Sequence, residues 1–136
     1  MLGPKKYRKQ LLELGIEGME IDVSSIDVAM DTLNQLNDME KILKKIRLNV
    51  RADIRKIRLD YVTKLKAVDQ SANIKKGILS RKKSVSSITE EKKKITRERN
   101  LTIATYDVVE NTIDDYLDQI DNSKYYIKNS IQRMVG

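Results

Sequence analysis

The chain has 136 residues, enough for one domain, yet 35% are charged and only 4% aromatic, with six Tyr and neither Phe nor Trp. That composition excludes a compact multilayer core of large apolar side chains and suits long helices with narrow apolar seams. His and Cys are absent, which removes the commonest general base, thiol nucleophiles, thiolate and imidazole metal sites, and disulfides. No enzyme activity, metal, cofactor or small-molecule substrate is therefore expected.

Charge is unevenly spread. Residues 1–40 carry four basic and eight acidic side chains (net −4), residues 41–99 twenty and six (net +14), and residues 100–136 three and six (net −3), which together give the overall +7. No apolar run approaches the ~18–20 residues that cross a bilayer. The opening MLGPKKYRKQLLELG lacks the apolar run and small-residue cleavage site of a signal peptide. A soluble, intracellular (cytoplasmic) protein is the expectation.

In chain order, Pro4 followed by KKYRKQLLEL reads as a short helix that Gly15 stops. The alternation M-E-I-D-V at 19–23 fits either a short strand or an extended connector. Residues 1–23 are accordingly assigned as a short helix and connector, and residues 24–136 as a helical hairpin.

The first hairpin helix is expected over residues 24–76. Ser24-Ser-Ile-Asp27 has capping-box spacing. The apolar run Leu36, Met39, Leu43, Ile46, Val50 continues as Ile54, Ile57, Tyr61, Leu65 and Val68, with an extra step of four that shifts the seam as a stutter does. A basic turn is expected over 77–86, where Gly77, several Ser and Arg81-Lys-Lys interrupt the pattern. The second helix is expected over 87–135, opening with the capping box Ser87-Ile-Thr-Glu90. Its heptads are regular: Tyr106, Ile113, Ile120, Ile127 and Met134, interleaved with Ile88, Ile95, Thr102, Val109 and Tyr116. Each helix would be about 75 Å long.

Two such helices joined by one turn predict an all-α fold, a long antiparallel two-helix coiled-coil hairpin. Facing residues should then have numbers adding to one constant total. Leu36 with Ile127, Leu43 with Ile120, Val50 with Ile113, Ile54 with Val109, Ile57 with Tyr106 and Val68 with Ile95 all satisfy this. The implied centre falls inside the Ser/Gly/Lys stretch.

Lys44, Arg47, Arg51, Arg55 and Arg58 form a basic stripe beside the first seam, and Asp107, Glu110, Asp114, Asp118 and Asp121 an acidic one beside the second. In an antiparallel pair both stripes fall on one side of the interface. The expected partners are Lys41–Asp121, Lys44–Asp118, Arg47–Asp114, Arg51–Glu110 and Arg55–Asp107, which would set register within the hairpin or pair with a second chain. The stripe is thus read as structural.

The distal end is different. Residues 62–99 hold twelve basic side chains against Asp69, Glu90, Glu91 and Glu98, net +8. The candidate nucleic-acid-binding residues are Lys75, Lys76, Arg81, Lys82, Lys83, Lys92, Lys93, Lys94 and Arg97, a patch that attracts phosphates without reading sequence. No aromatic residue lies in 62–99, so there is no stacking platform for single-stranded bases. A solvated basic loop is the competing reading.

Other constellations are weaker. Asp114-Asp115 point about 100° apart on a helix and suit a solvated face. Met30, Met39 and Met134 fall at seam spacing and read as core fillers. Leu48, Ala52, Leu59 and Val62, and likewise Leu101, Ile103, Ala104 and Val108, broaden the apolar faces beyond what one hairpin covers. Either residues 1–23 fold over them or two hairpins associate, and because 23 residues are too short to cover a ~75 Å stem, a homodimer or four-helix bundle is expected.

The sequence therefore predicts a non-enzymatic coiled-coil protein that self-associates through its stem and meets DNA or RNA backbones at a basic tip. By architecture alone this resembles the hairpin arms with which some RNA-binding enzymes hold RNA, an analogy of fold. The alternatives are an assembly scaffold without a nucleic-acid role and, less favoured because Trp and Phe anchors are absent, an adaptor on anionic membranes.

Overall fold

A computed structural model describes the backbone of residues 1–78 and 85–136 and the side chains of residues 1–71 and 85–136. The described residues form three helices, α1 (Pro4–Glu13), α2 (Ile26–Ile78) and α3 (Val85–Val135), and no strand. No described helix is long and apolar enough to cross a membrane.

Pro4 occupies the first turn of α1, where its missing N–H costs nothing. Gly15 follows the C-cap with φ +66° and donates to the Leu12 carbonyl at 3.1 Å. That left-handed conformation suits glycine, and it ends the helix where the sequence placed the stop. Residues 19–23 then run as irregular backbone, so the strand alternative is excluded. Five residues of alternation without a partner strand have nowhere to place their backbone hydrogen bonds.

Helix α2 starts at Ile26, and its cap is Ser25, whose Oγ accepts the Val28 N–H at 3.2 Å. The expected Ser24/Asp27 box is one residue out of phase, because Ser24 instead donates its N–H to Asp22 Oδ1 at 2.9 Å. Helix α2 runs through Gly77 to Ile78. One glycine costs only ~1 kcal/mol relative to alanine, too little to end so long a helix. Helix α3 already includes Val85, so Ser87 lies inside it and is not its cap.

The chain divides into two compact units, the first Met1–Val50 with Val108–Gly136, the second Arg51–Asp107. In the first, Leu36, Leu43, Ile46 and Val50 of α2 and Val109, Ile113, Tyr116, Ile120 and Ile127 of α3 are buried, as their spacing requires. Tyr7 and Leu11 of α1 and Ile16 of the connector join them. Gln10, Glu13 and Leu14 line a groove with Ile42, Lys45, Ile46 and Asn49, placing α1 beside α2. Ile16, Met19 and Ile21 enclose a small cavity with Leu36, Gln119, Ile120 and Ser123.

In the second unit Ile54, Ile57, Ile103 and Tyr106 are buried, whereas Tyr61, Leu65, Val68, Ile88, Ile95 and Thr102 are only half-buried. Ile103 thus belongs to the core and not to an uncovered face. Met30 and Met134 are exposed rather than core fillers. They lie near the start of α2 and the end of α3, where fewer neighbouring turns remain to cover them.

Candidate nucleic-acid interface

The candidate residues divide by what the structure describes. Lys75 and Lys76 lie in the last turns of α2, but their side chains are outside the described residues, as are Arg81, Lys82 and Lys83 altogether. Lys92, Lys93, Lys94 and Arg97 stand in succession on α3. Helical geometry turns successive residues by 100°, so Lys92, Lys93 and Lys94 fan over about 200° of the helix, and Arg97 returns to the sector between Lys93 and Lys94.

Lys92, half-buried, forms an ion pair with the exposed Asp69 of α2. An acidic partner on the other long helix takes its charge, and the aliphatic stem packs. Lys93, Lys94 and Arg97 are exposed. An open depression on α3 is lined, among the described residues, by Thr89, Glu90, Lys92, Lys93, Thr96 and Arg97. Glu90 is the one acidic side chain there, so the depression presents guanidinium and ammonium groups with two hydroxyls, donors suited to phosphate oxygens. Lys64 of the same unit lies over the Tyr61 ring, 4.3 Å from its centroid.

The arginine stripe is partly engaged as expected. Arg47 Nη1 is 3.5 Å from Asp114 Oδ1. Lys44, however, pairs within its own helix with Glu40 at 2.9 Å and not with Asp118. The i,i+4 neighbour is closer than a side chain reaching around from the other helix. Glu40 also receives Lys124 of α3 at 2.7 Å. Hydrogen bonds from Lys124 and then Lys44 hold the Glu40 carboxyl down at about 2, against burial pushing it up.

Three polar contacts escaped the sequence reading. The first is this Glu40–Lys124 pair, whose numbers nearly satisfy the constant total and could have been found that way. The second is Tyr116, whose hydroxyl donates to Glu17 Oε1 at 3.0 Å. Burial, and after it Glu17, pushes the Tyr116 phenol up. The third is the buried Thr32, whose hydroxyl lies 3.0 Å from the Val28 carbonyl and 3.3 Å from the Asp22 carbonyl. The last two tie the connector to the long helices, and nothing in local periodicity signals them.

Among the described residues no group of acidic side chains could hold a metal ion, and Asp114 and Asp115 are both exposed. No protein-family model matches the chain, and comparisons with curated proteins and with solved structures found no match.

Proposed function

We propose that the protein is a non-enzymatic, intracellular coiled-coil hairpin that associates with itself through its stem and holds DNA or RNA by the phosphate backbone at its basic distal end. The observation that carries the reading is the segregation of charge: residues 62–99 are net +8 in a chain that is net +7 overall, and Lys93, Lys94 and Arg97 present theirs to solvent. An ion pair such as Lys92–Asp69 removes one cation from that set and leaves the field strongly positive.

Antiparallel pairing of α2 and α3 is supported in the first unit by two cross-helix contacts. Moving from Glu40 to Arg47 along α2 moves the partner back from Lys124 to Asp114 on α3. The Lys92–Asp69 pair of the second unit follows the same numbering rule. A scaffold role without nucleic acid is the second reading, favoured by the exposure of Leu48, Leu59, Val62, Leu101 and Val108.

The test is a titration of the protein into labelled duplex DNA, duplex RNA and single strands at two salt concentrations, with anionic vesicles as a further arm. The expected result is binding to both duplexes that is indifferent to sequence and weakens steeply with salt, the slope counting the phosphates contacted. Absence of binding at low salt would overturn the phosphate reading and leave the scaffold. Binding to vesicles alone would overturn it in favour of a membrane surface.

A further inference from the structure

Helix α3 carries a second heptad stripe on the side away from its buried seam. Lys94, Arg97, Leu101, Ala104, Val108, Asn111, Asp115 and Asp118 follow one another at alternating steps of three and four, the spacing of a coiled-coil seam. All eight are exposed, Leu101 at 71% and Val108 at 51%. Apolar and small residues occupy the centre, two cations one end and two carboxylates the other. None of the four charged residues has an ion-pair partner among the described residues.

Such a stripe is complementary to itself when reversed. We infer that this face of α3 is the contact between two copies of the chain, which pair α3 against α3 antiparallel about a two-fold axis near Tyr106. The arithmetic is strict. Lys94 with Asp118, Arg97 with Asp115, Leu101 with Asn111 and Ala104 with Val108 share one total, and each matches one heptad position with its counterpart across an antiparallel seam. By symmetry every pair occurs twice. The small Ala104 beside the axis permits close approach, and Leu101 and Val108 lose their exposure.

The outward stripe of α2 does not offer this. Leu48, Ala52, Leu59 and Val62 are interleaved with Arg55 and flanked by Lys45 and Lys66, so its self-pairing sets cation against cation. The α3 dimer rests on the self-association proposed above and gives it a surface and a register. It also occupies Lys94 and Arg97, so a second copy and a nucleic-acid backbone compete for these two side chains.

The test measures molar mass by sedimentation equilibrium, without nucleic acid, for the wild type, for Lys94→Asp/Arg97→Asp and for Asp115→Lys/Asp118→Lys. Circular dichroism confirms that each stays helical. Either reversal places like charges opposite one another, and the dimer dissociation constant is expected to rise at least ~10-fold. An equimolar mixture of the two variants restores opposite charges at every position, and a dimer of wild-type strength is expected. As an independent reading, the natural chain has no Cys, so Leu101→Cys mixed with Asn111→Cys should form a disulfide faster than either alone. A dimer indifferent to both reversals, or cross-linking no faster in the mixture, would overturn this surface and leave self-association standing. A wild-type monomer at all concentrations would overturn both.

Discussion

Lys124 of α3 lies 2.7 Å from Glu40 of α2, whose second carboxylate oxygen takes Lys44 from its own helix at 2.9 Å. Two cations on one carboxylate make Glu40 the most strongly perturbed acid described, held near 2 against an ordinary 4.5. A depressed folded-state pKa means the contribution is complete above pH 4.5, fades as the pH falls, and is gone below about 2. Both side chains are partly solvated, so Glu40→Gln is expected to cost about 1 kcal/mol at neutral pH. Urea unfolding at neutral pH and near pH 2 checks this: the gap between wild type and variant closes in acid. A gap that persists there would show that the loss is one of packing and not of charge.

Tyr116 predicts how the N-terminal segment is held. Its ring is buried in the first unit, and its hydroxyl reaches Glu17 of the connector. Tyr116→Phe keeps the ring and removes the bond, at an expected cost of about 1 kcal/mol. Amide exchange should quicken across residues 16–23 and stay unchanged around Ile113. Because the phenol titrates above its ordinary 10.0, the bond's contribution is complete below that value. It is lost only as the pH rises through the higher folded-state value. Unchanged exchange in the variant would assign the anchoring to Ile16 and Thr32 instead.

The buried seam was legible because it is a periodic property. Leu43, Val50, Val109, Ile113 and Ile127 recur at heptad spacing, and all five are wholly buried. Contacts made by irregular backbone were not legible. The Thr32 hydroxyl meets the Asp22 carbonyl, a meeting fixed by where the connector turns. Tyr7, Leu11 and Ile16 of the short N-terminal segment are buried in the first unit, while Leu48, Leu101 and Val108 stay exposed. Of the basic set, only Lys92, Lys93, Lys94 and Arg97 have described side chains. Lys92 pairs with Asp69 of the other long helix, a contact that spacing within either helix does not signal.

Truncation separates the core from the exposed apolar face of α2. Ile113 has no exposure and Leu59 has 67%. Ile113→Ala removes buried methyl groups and leaves a cavity, with an expected loss of ~2–5 kcal/mol. Leu59→Ala should change stability by no more than ~0.5 kcal/mol. Thermal unfolding measured at one protein concentration compares the two. Equal losses would mean that Leu59 is covered in solution, which would point to α2 as the associating face.

The most direct test of phosphate contact at the distal end compares two neutralised variants in one binding assay. The first changes Lys75, Lys76, Arg81, Lys82 and Lys83 to Gln; the second changes Arg47, Arg51, Arg55 and Arg58 to Gln. Fluorescence anisotropy with labelled duplex at low salt gives both affinities and, repeated at higher salt, both slopes. Loss of most binding and a shallower salt slope in the distal variant, with the stem variant near wild type, is the predicted result. Binding unchanged in the distal variant but lost in the stem variant would contradict it and make the arginine stripe the phosphate-contacting surface.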